Sequence, residues 1–412
     1  MEIPLALNGL DESELEIVFS VFRSGNVTMG EQVQIFEEKF AKKMRVKHAI
    51  MVNSGSSANL LGLEILALKL PDINVSQRGE FYVAVPAILW PTSIWPIVQL
   101  GFQALIIDTV ENSLEIDLDK LLEAKNEFGH ALIGAVLIHP LGKSLDLAKI
   151  SKLRDDTGMF IVEDNAESLG SGSLGKFAGT IGEVGTFSFY YSHHITTVEG
   201  GMIVTESDEI ANLLRSMRAH GWTRNRQDKA EIENTYPEFN KDFLFVTPGY
   251  NFRPMEFQGA LGISQIDKLD SFLERRLHII SKVAMALAGS NFDILGLTNE
   301  QHFSAAQIDL SKGPVPHSWM AIPISYKGTN LTLEQVHSAL NYLGVATRPV
   351  LAGNFVNQPA GKHEMISIFR NLANSNDIYA KSFMIGNHHN INDQQLAHLL
   401  DALMSIIRLD EP

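Results

Sequence analysis

The sequence predicts an α/β protein: a large domain with a mainly parallel mixed sheet flanked by helices, and a smaller C-terminal α/β domain. Three observations carry this. At 412 residues the chain exceeds what one hydrophobic core usually fills. From Ala49 onward, short apolar runs rich in Val, Ile and Phe alternate with helical stretches, the pattern of strands feeding crossover helices. After Pro254 a long amphipathic helix begins and leads toward the C-terminus.

Taken in order, Leu15 to Phe40 mixes apolar and charged residues at helical spacing, broken around Gly25 to Gly30, and predicts two short amphipathic helices. Residues 1–30 are then expected to form an N-terminal helical arm. The runs FYVAVPA, ALIIDTV, ALIGAVLIHP, MFIVEDNAES, GTFSFYYS and GGMIVTES predict strands of the large domain, assigned to residues 31–254. Arg226 to Val246, RQDKAEIENTYPEFNKDFLFV, is charged and weakly periodic, and reads as a long functional loop. Residues 255–412 form the smaller domain.

A composition of 45% hydrophobic and 20% charged residues is that of an ordinary globular enzyme and excludes a disordered or fibrous chain. The formal charge of -15 argues against nucleic acid as a partner, because that binding draws on clustered Lys and Arg. A small anion can still be held locally, since screening confines distant charges to about 10 Å at 0.1 M salt. The start, MEIPLALNGLDESELEIV, lacks a basic segment followed by an apolar one, and no run approaches the roughly 20 apolar residues of a membrane span, so a cytoplasmic protein without membrane association is expected. With no cysteine, disulfides, thiolate metal sites and Cys-ligated iron–sulfur clusters are excluded.

Three constellations carry chemistry. In NSGSSANLLGLEIL, Asn53 to Leu66, a Ser/Gly cluster directly precedes a helix; the free amides of Gly55 and Ser56, with the helix dipole behind them, suit a phosphate, although Ser there also serves as an ordinary N-cap. MFIVEDNAES ends a strand in Asp164, at the edge where open α/β sheets place ligands; an Asp there can pair with a protonated ring nitrogen, or cap the next helix. GTFSFYYSHHITTVEGGMIVT delivers Ser188, His193 and His194 ahead of a Gly-Gly turn. An imidazole with an unperturbed pKa near 6.5 suits a general base at neutral pH, while a His pair in a loop is also a common surface feature. No HExxH or comparable ligand spacing supports a metal, so none is expected.

The order of these three resembles the sugar aminotransferase family of fold-type I pyridoxal phosphate (PLP) enzymes. SGNVTMGEQVQIFEEKFA, VPAILWPTS, IIDTVENSLEIDLDKL and GYNFRPMEFQGALGISQIDKL agree with it, so the resemblance runs from Ser24 to the C-terminus. In such enzymes the third motif reads SFxxxKxxxxxEGG, with a lysine that binds the cofactor covalently; here His193 occupies that position. An imidazole cannot form that stable Schiff base. SHHITTVEGG, with RAHGWTRN from Arg218 to Asn225, resembles instead the branch of the family that removes a hydroxyl from a ketosugar. One kind of histidine-bearing dehydratase uses an iron–sulfur cluster, which the absence of cysteine rules out here, leaving the kind that needs no metal.

The resemblance implies a lyase using PLP and its amine form, pyridoxamine phosphate (PMP). It would remove the C3 hydroxyl of a nucleotide-linked 4-keto-6-deoxyhexose, expected to be GDP-linked and mannose-derived, with L-glutamate as amino donor, toward a 3,6-dideoxysugar such as colitose. His193 is then the base and Asp164 holds the ring nitrogen protonated. Gly55, Ser56 and Ser188 contact the phosphate, Trp90 stacks on the ring, and Glu167 lies near the ring hydroxyl. His220 matches a second active-site histidine, and Asn251 a residue that reaches the phosphate from the neighbouring subunit, implying a homodimer with shared active sites. Arg224 and Arg348 are candidates for the nucleotide diphosphate. His194 should face away from His193 if the segment is extended, and becomes the alternative base if the turn is irregular. A ketosugar aminotransferase and an inactive cofactor-binding relative are the competing readings.

Overall fold

In the computed structural model, which describes residues 1–70, 73–297 and 308–410, the apolar runs become strands of one eight-stranded sheet. Two helices come first. α1 (Glu12–Ser24) is capped by Asp11, whose side chain accepts from the Glu14 amide, and is stopped by Gly25 in the left-handed conformation at φ 76°. α2 (Glu31–Met44) turns Val33, Phe36, Phe40 and Met44 inward, the spacing of one helix face.

β1 (His48–Val52) leads into α3 (Gly55–Leu68); then β2 (Tyr82–Pro86), α4 (Trp95–Gln99), β3 (Gln103–Ile107), α5 (Leu118–Phe128), β4 (Leu132–Ile138), α6 (Leu147–Thr157) and β5 (Phe160–Asp164) alternate. A two-stranded hairpin, β6 (Gly172–Ser173) with β7 (Lys176–Phe177), precedes β8 (Val184–Ser188), β9 (Gly201–Thr205) and α7 (Asp208–Met217). The spatial order is β1-β9-β8-β5-β4-β2-β3, with one further strand beyond β3 described below. Every pairing is parallel except the two made by β9. The helix-free connection from β8 to β9 explains this, since a parallel return needs a crossover, usually a helix. Strands buried on both faces must be apolar throughout, which is why they appear as continuous runs in the sequence. The parallel strands end on the side where α3 begins, and ligand sites of open α/β sheets lie at that edge.

Within 226–246 the loop contains α8 (Lys229–Thr235), none of whose residues is buried. α9 (Glu256–Leu287) then bridges two cores. Its first half, through Ile266, Leu269 and Leu273, joins Phe36, Phe40, Phe187 and Phe189; its second half, through Ile279, Ile280, Val283 and Leu287, joins the core of the smaller sheet. That sheet contains β10 (Phe292–Ile294), β11 (Ala321–Tyr326), β12 (Thr347–Arg348) and, beyond β13 (Ile366–Ile368), β14 (Ser382–Gly386), in the antiparallel order β10-β11-β14-β12. α10 (Leu333–Tyr342), α11 (Ala373–Lys381) and α12 (Asp393–Asp410) surround it.

The expected division at residues 30 and 254 is crossed twice. Ile3 is fully buried in the small-sheet core and bridges Val345, so the first residues of the arm pack on the C-terminal domain. In the other direction β13 pairs in parallel with β3 and extends the large sheet. Residues 298–307 and 411–412 of the expected C-terminal domain lie outside the described residues. None of the described helices is long and apolar enough to cross a membrane.

Candidate active site

A cavity of about 390 Å³ opens at the carboxyl edge of the parallel strands. At one end lies the start of α3. Ser54 is its N-cap, accepting from the Ser57 amide at 3.1 Å, and the first-turn residues Gly55 and Ser56 form the cavity wall. The positive end of a 14-residue helix thus faces the space. Gly55 is glycine for a steric reason: a Cβ there would sit 2.6 Å from the Cβ and 2.9 Å from the Oγ of Ser188. That closeness lets the end of β8 bring Ser188 against the same helix terminus, so the three residues expected to hold a phosphate converge.

Asp164 ends β5 and is 5% exposed. Its Oδ2 accepts from Asn59 Nδ2 at 2.8 Å and from Ser93 Oγ at 2.7 Å, and its Oδ1 accepts from the Ala166 amide at 3.1 Å. Asn59 is itself fixed by the Thr186 hydroxyl, which donates to its Oδ1 at 2.5 Å. The carboxylate is therefore oriented from three sides, more than a turn cap requires. Asn59 and Ser93 were not anticipated from sequence. Their signals were present: Asn59 follows Gly55 by four residues, hence on one helix face, and Ser93 lies in the WPTS stretch beside Trp90. Trp90 lines the cavity with half its surface exposed. Glu167 accepts from the Leu141 amide at 3.0 Å, and burial, reinforced by the negative charge of Asp164, pushes its carboxyl up to about 7 against the opposing pull of Arg348.

The segment carrying the histidines is a turn, closed by the His193 amide donating to the Tyr190 carbonyl at 3.0 Å, and not the extended segment on which face alternation was argued. The two imidazoles nevertheless diverge. His193 lines the cavity, whereas His194 is wholly buried with its Nε2 3.1 Å from the Ser318 carbonyl. The Nδ1 of His193 is buried without a hydrogen-bond partner. Burial, aided by the charges of Arg276 and Arg348, pushes this imidazole down to about 4. None of the described residues lining the cavity is a lysine.

Arg348, from β12, reaches the same cavity. His220, Arg224 and Asn251 are not among the residues lining it. His220 is exposed in a left-handed conformation at φ 65°, its amide donating to the Tyr250 carbonyl at 2.8 Å, and the adjacent Ala219 bridges Asn251. These two therefore share one strip of the surface of a single chain. Arg224 lies over the Trp222 ring at 5.1 Å.

The profile of the DegT/DnrJ/EryC1/StrS aminotransferase family matches residues 8–404. The chain belongs to this family. Within it, the chain is 35% identical over 408 residues, 98% of both sequences, to the GDP-4-keto-6-deoxy-D-mannose 3-dehydratase of Yersinia pseudotuberculosis. Among solved structures, a histidine-to-asparagine variant of GDP-4-keto-6-deoxymannose-3-dehydratase with bound GDP-perosamine superposes with a TM-score of 0.84 at 32% identity, covering 98% of this chain and 100% of that one. The same enzyme with a trapped PLP-glutamate geminal diamine gives 0.83 at 32% identity over 98% of this chain and 100% of that one. The architecture of this family member is fold-type I, with its cavity at the edge where the parallel strands end.

Proposed function

We propose that this family member is a PLP/PMP-dependent 3-dehydratase that removes the C3 hydroxyl of GDP-4-keto-6-deoxy-D-mannose in the cytoplasm, with L-glutamate as amino donor, toward a 3,6-dideoxysugar. The observation that carries the reading is His193: a neutral imidazole, its Nδ1 unpartnered, in the cavity wall at the position where a transaminase of this family has its lysine. The similarity to 3-dehydratases along the whole chain supports the same conclusion.

The residues present fit the cofactor. The α3 terminus with Gly55, Ser56 and Ser188 suits its phosphate, Asp164 suits a protonated ring nitrogen, Glu167 a ring hydroxyl, and Trp90 an aromatic face. When bound in its amine form, the cofactor supplies a nitrogen that engages the sugar ketone and a protonated ring that withdraws electron density as the C3 hydroxyl leaves.

Each side chain then has a defined task. Asn59 and Ser93 hold the Asp164 carboxylate at one orientation, so that it keeps the proton on the ring nitrogen throughout. His193 enters the reaction as the free base and accepts the proton that must be removed. Glu167, pushed up to about 7, keeps a proton to share at neutral pH. Among the described residues lining the cavity none is a lysine that could bind the cofactor covalently, so a sugar imine formed there would be left to water, whose addition would give the 3-deoxy-4-ketosugar and ammonia. Arg348 places a fixed positive charge at the cavity for an anionic substrate group. Asn251 and His220, on the outer strip, would complete the site of a second copy in a homodimer with shared active sites.

The test is to incubate the purified protein with PLP, L-glutamate and GDP-4-keto-6-deoxymannose, and to follow the sugar by mass spectrometry and ammonia in parallel. Loss of the C3 hydroxyl with ammonia release is expected. An aminated sugar would instead make the protein a transaminase, and cofactor binding without any turnover an inactive relative.

A further inference from the structure

α9 carries a charge where its apolar stripe should continue. Leu269, Leu273, Ile280 and Val283 recur at the spacing of one helix face and are fully buried, and Arg276 occupies the same stripe at 1% exposure. A buried guanidinium without compensation is costly, and among the described residues Arg276 pairs with no carboxylate. It donates instead to main-chain carbonyls: Nη1 to Met320 at 2.8 Å, to Trp319 at 3.5 Å and to Asn387, and Nη2 to His193 at 3.3 Å. Trp319 and Met320 lead into β11 and Asn387 follows β14, so three acceptors belong to the small sheet. The fourth is the residue read above as the base.

His193 is thereby held on both sides. Its amide is bound by Tyr190 and its carbonyl by Arg276, which leaves the side chain as the part free to point into the cavity. Arg276 also places a positive charge behind the imidazole at neutral pH, although burial pulls its own proton affinity down to about 9.

We propose that Arg276 is the positioning residue of the base: by holding the His193 carbonyl it fixes the turn that aims this imidazole into the cavity. The proposal rests on the reading of His193 as the base. The groups that face His193 are Asp164 at the end of β5 with the Ala166 backbone and Glu167 just beyond it, Tyr190 and Glu199 from its own segment, Arg348 from β12 and Arg276 from α9, with His194, His388 and His389 around the same guanidinium; of these the Ala166 backbone favours the protonated ring. Burial and the two arginines all oppose protonation of His193, so removing one of those charges must raise its proton affinity. An arginine that merely tied α9 to the small sheet would leave kcat of the folded variant unmoved, whatever the loss of its charge did to the titration of His193.

The experiment compares Arg276→Gln and Arg276→Lys with the wild type, each as PMP-loaded holoenzyme, over a range of pH. Arg276→Gln should lower kcat at least about tenfold with KM within about twofold, and move the acid limb of kcat/KM up by about one pH unit. Arg276→Lys, which keeps the charge but not the fork, should recover part of kcat with the limb at the wild-type position. An unmoved kcat in Arg276→Gln, or a loss confined to KM, overturns the proposal. Should the Gln variant not fold, NMR of isotope-labelled histidine in the wild-type and Arg276→Lys holoenzymes decides, with the His193 signal identified by its loss in His193→Asn. A displaced His193 ring signal with lowered kcat in Arg276→Lys is expected, and a ring signal and kcat both unchanged from the wild type refute the proposal. A wild-type protein without dehydratase activity would remove the functional reading, while the His193 ring signal compared between wild type and Arg276→Lys would still test what Arg276 does to His193.

Discussion

His193 and Glu167 face one cavity with their ordinary proton affinities reversed: burial pushes the imidazole down to about 4 and the carboxyl up to about 7. At neutral pH the histidine is therefore the free base, and the glutamate is poised between acid and carboxylate.

The first prediction follows from the glutamate. Above about pH 7 Glu167 ionises and adds a second negative charge beside Asp164. Dehydration should decline on the alkaline side with a midpoint near 7, and Glu167→Gln, which cannot ionise, should lose that limb. A pH–rate profile checks this; an alkaline limb that persists unchanged in the variant would mean that another group sets it.

A second concerns the missing lysine. His193→Lys places an amine in the cavity wall opposite Asp164 and the α3 terminus. The variant should take up PLP covalently, visible by mass spectrometry after borohydride reduction, and lose dehydration by at least about a hundredfold. Wild-type dehydration by this variant would rule out His193 as the base.

Gly55→Ala tests the phosphate end. The added Cβ would lie 2.6 Å from Ser188 Cβ, so the α3 terminus and the end of β8 must separate. Overpacking of this kind costs roughly 1–3 kcal/mol, and cofactor affinity should fall about tenfold or more. Equilibrium dialysis of PLP, with a thermal melt in parallel, separates loss of binding from loss of fold; unchanged affinity would show that the contact is not needed.

Stability should fall in acid. Burial holds His193 at about 4 and His388 at about 3, with His194 and His317 well below the ordinary 6.5. Between those values and 6.5 the unfolded chain binds more protons, so stability present above pH 6.5 is lost as pH falls, by up to roughly 1.4 kcal/mol per pH unit for each group. Glu167 acts with the opposite sign, its raised affinity stabilising below pH 4.5 and that contribution being lost as pH rises through about 7, and burial raises Glu183 and Glu199 in the same direction; against these three carboxyls stand six lowered imidazoles, His337 and His389 included. Calorimetry should show Tm declining steadily between pH 7 and pH 5, and a flat Tm there would contradict the burial of these imidazoles in the neutral form.

Shared sites can be tested by complementation. If Asn251 serves the partner's cavity, mixing His193→Asn with Asn251→Ala should regain activity, because a heterodimer contains one intact site. Random reassociation restores about a quarter of the wild-type sites. No gain on mixing would confine each site to its own chain.

What the sequence determined by itself was everything that local pattern encodes. Continuous apolar runs marked strands buried on both faces, the Ser/Gly cluster at Gly55 marked the start of an apolar helix that lines the cavity, and the register SFxxxHxxxxxEGG placed His193 where a lysine is expected. The tertiary structure alone decided which distant groups complete these motifs. Asn59 reaches Asp164 across 105 positions, β13 crosses back to the large sheet, and Arg276 meets the His193 carbonyl from 83 positions away. His220, expected as a second active-site histidine, and Asn251, expected to reach a neighbouring subunit's site, both lie outside the cavity of their own chain. The physical reason is that periodicity and capping act over one or two turns of chain, whereas the orientation of a buried carboxylate and the proton affinity of a buried imidazole are set by whatever packing brings against them.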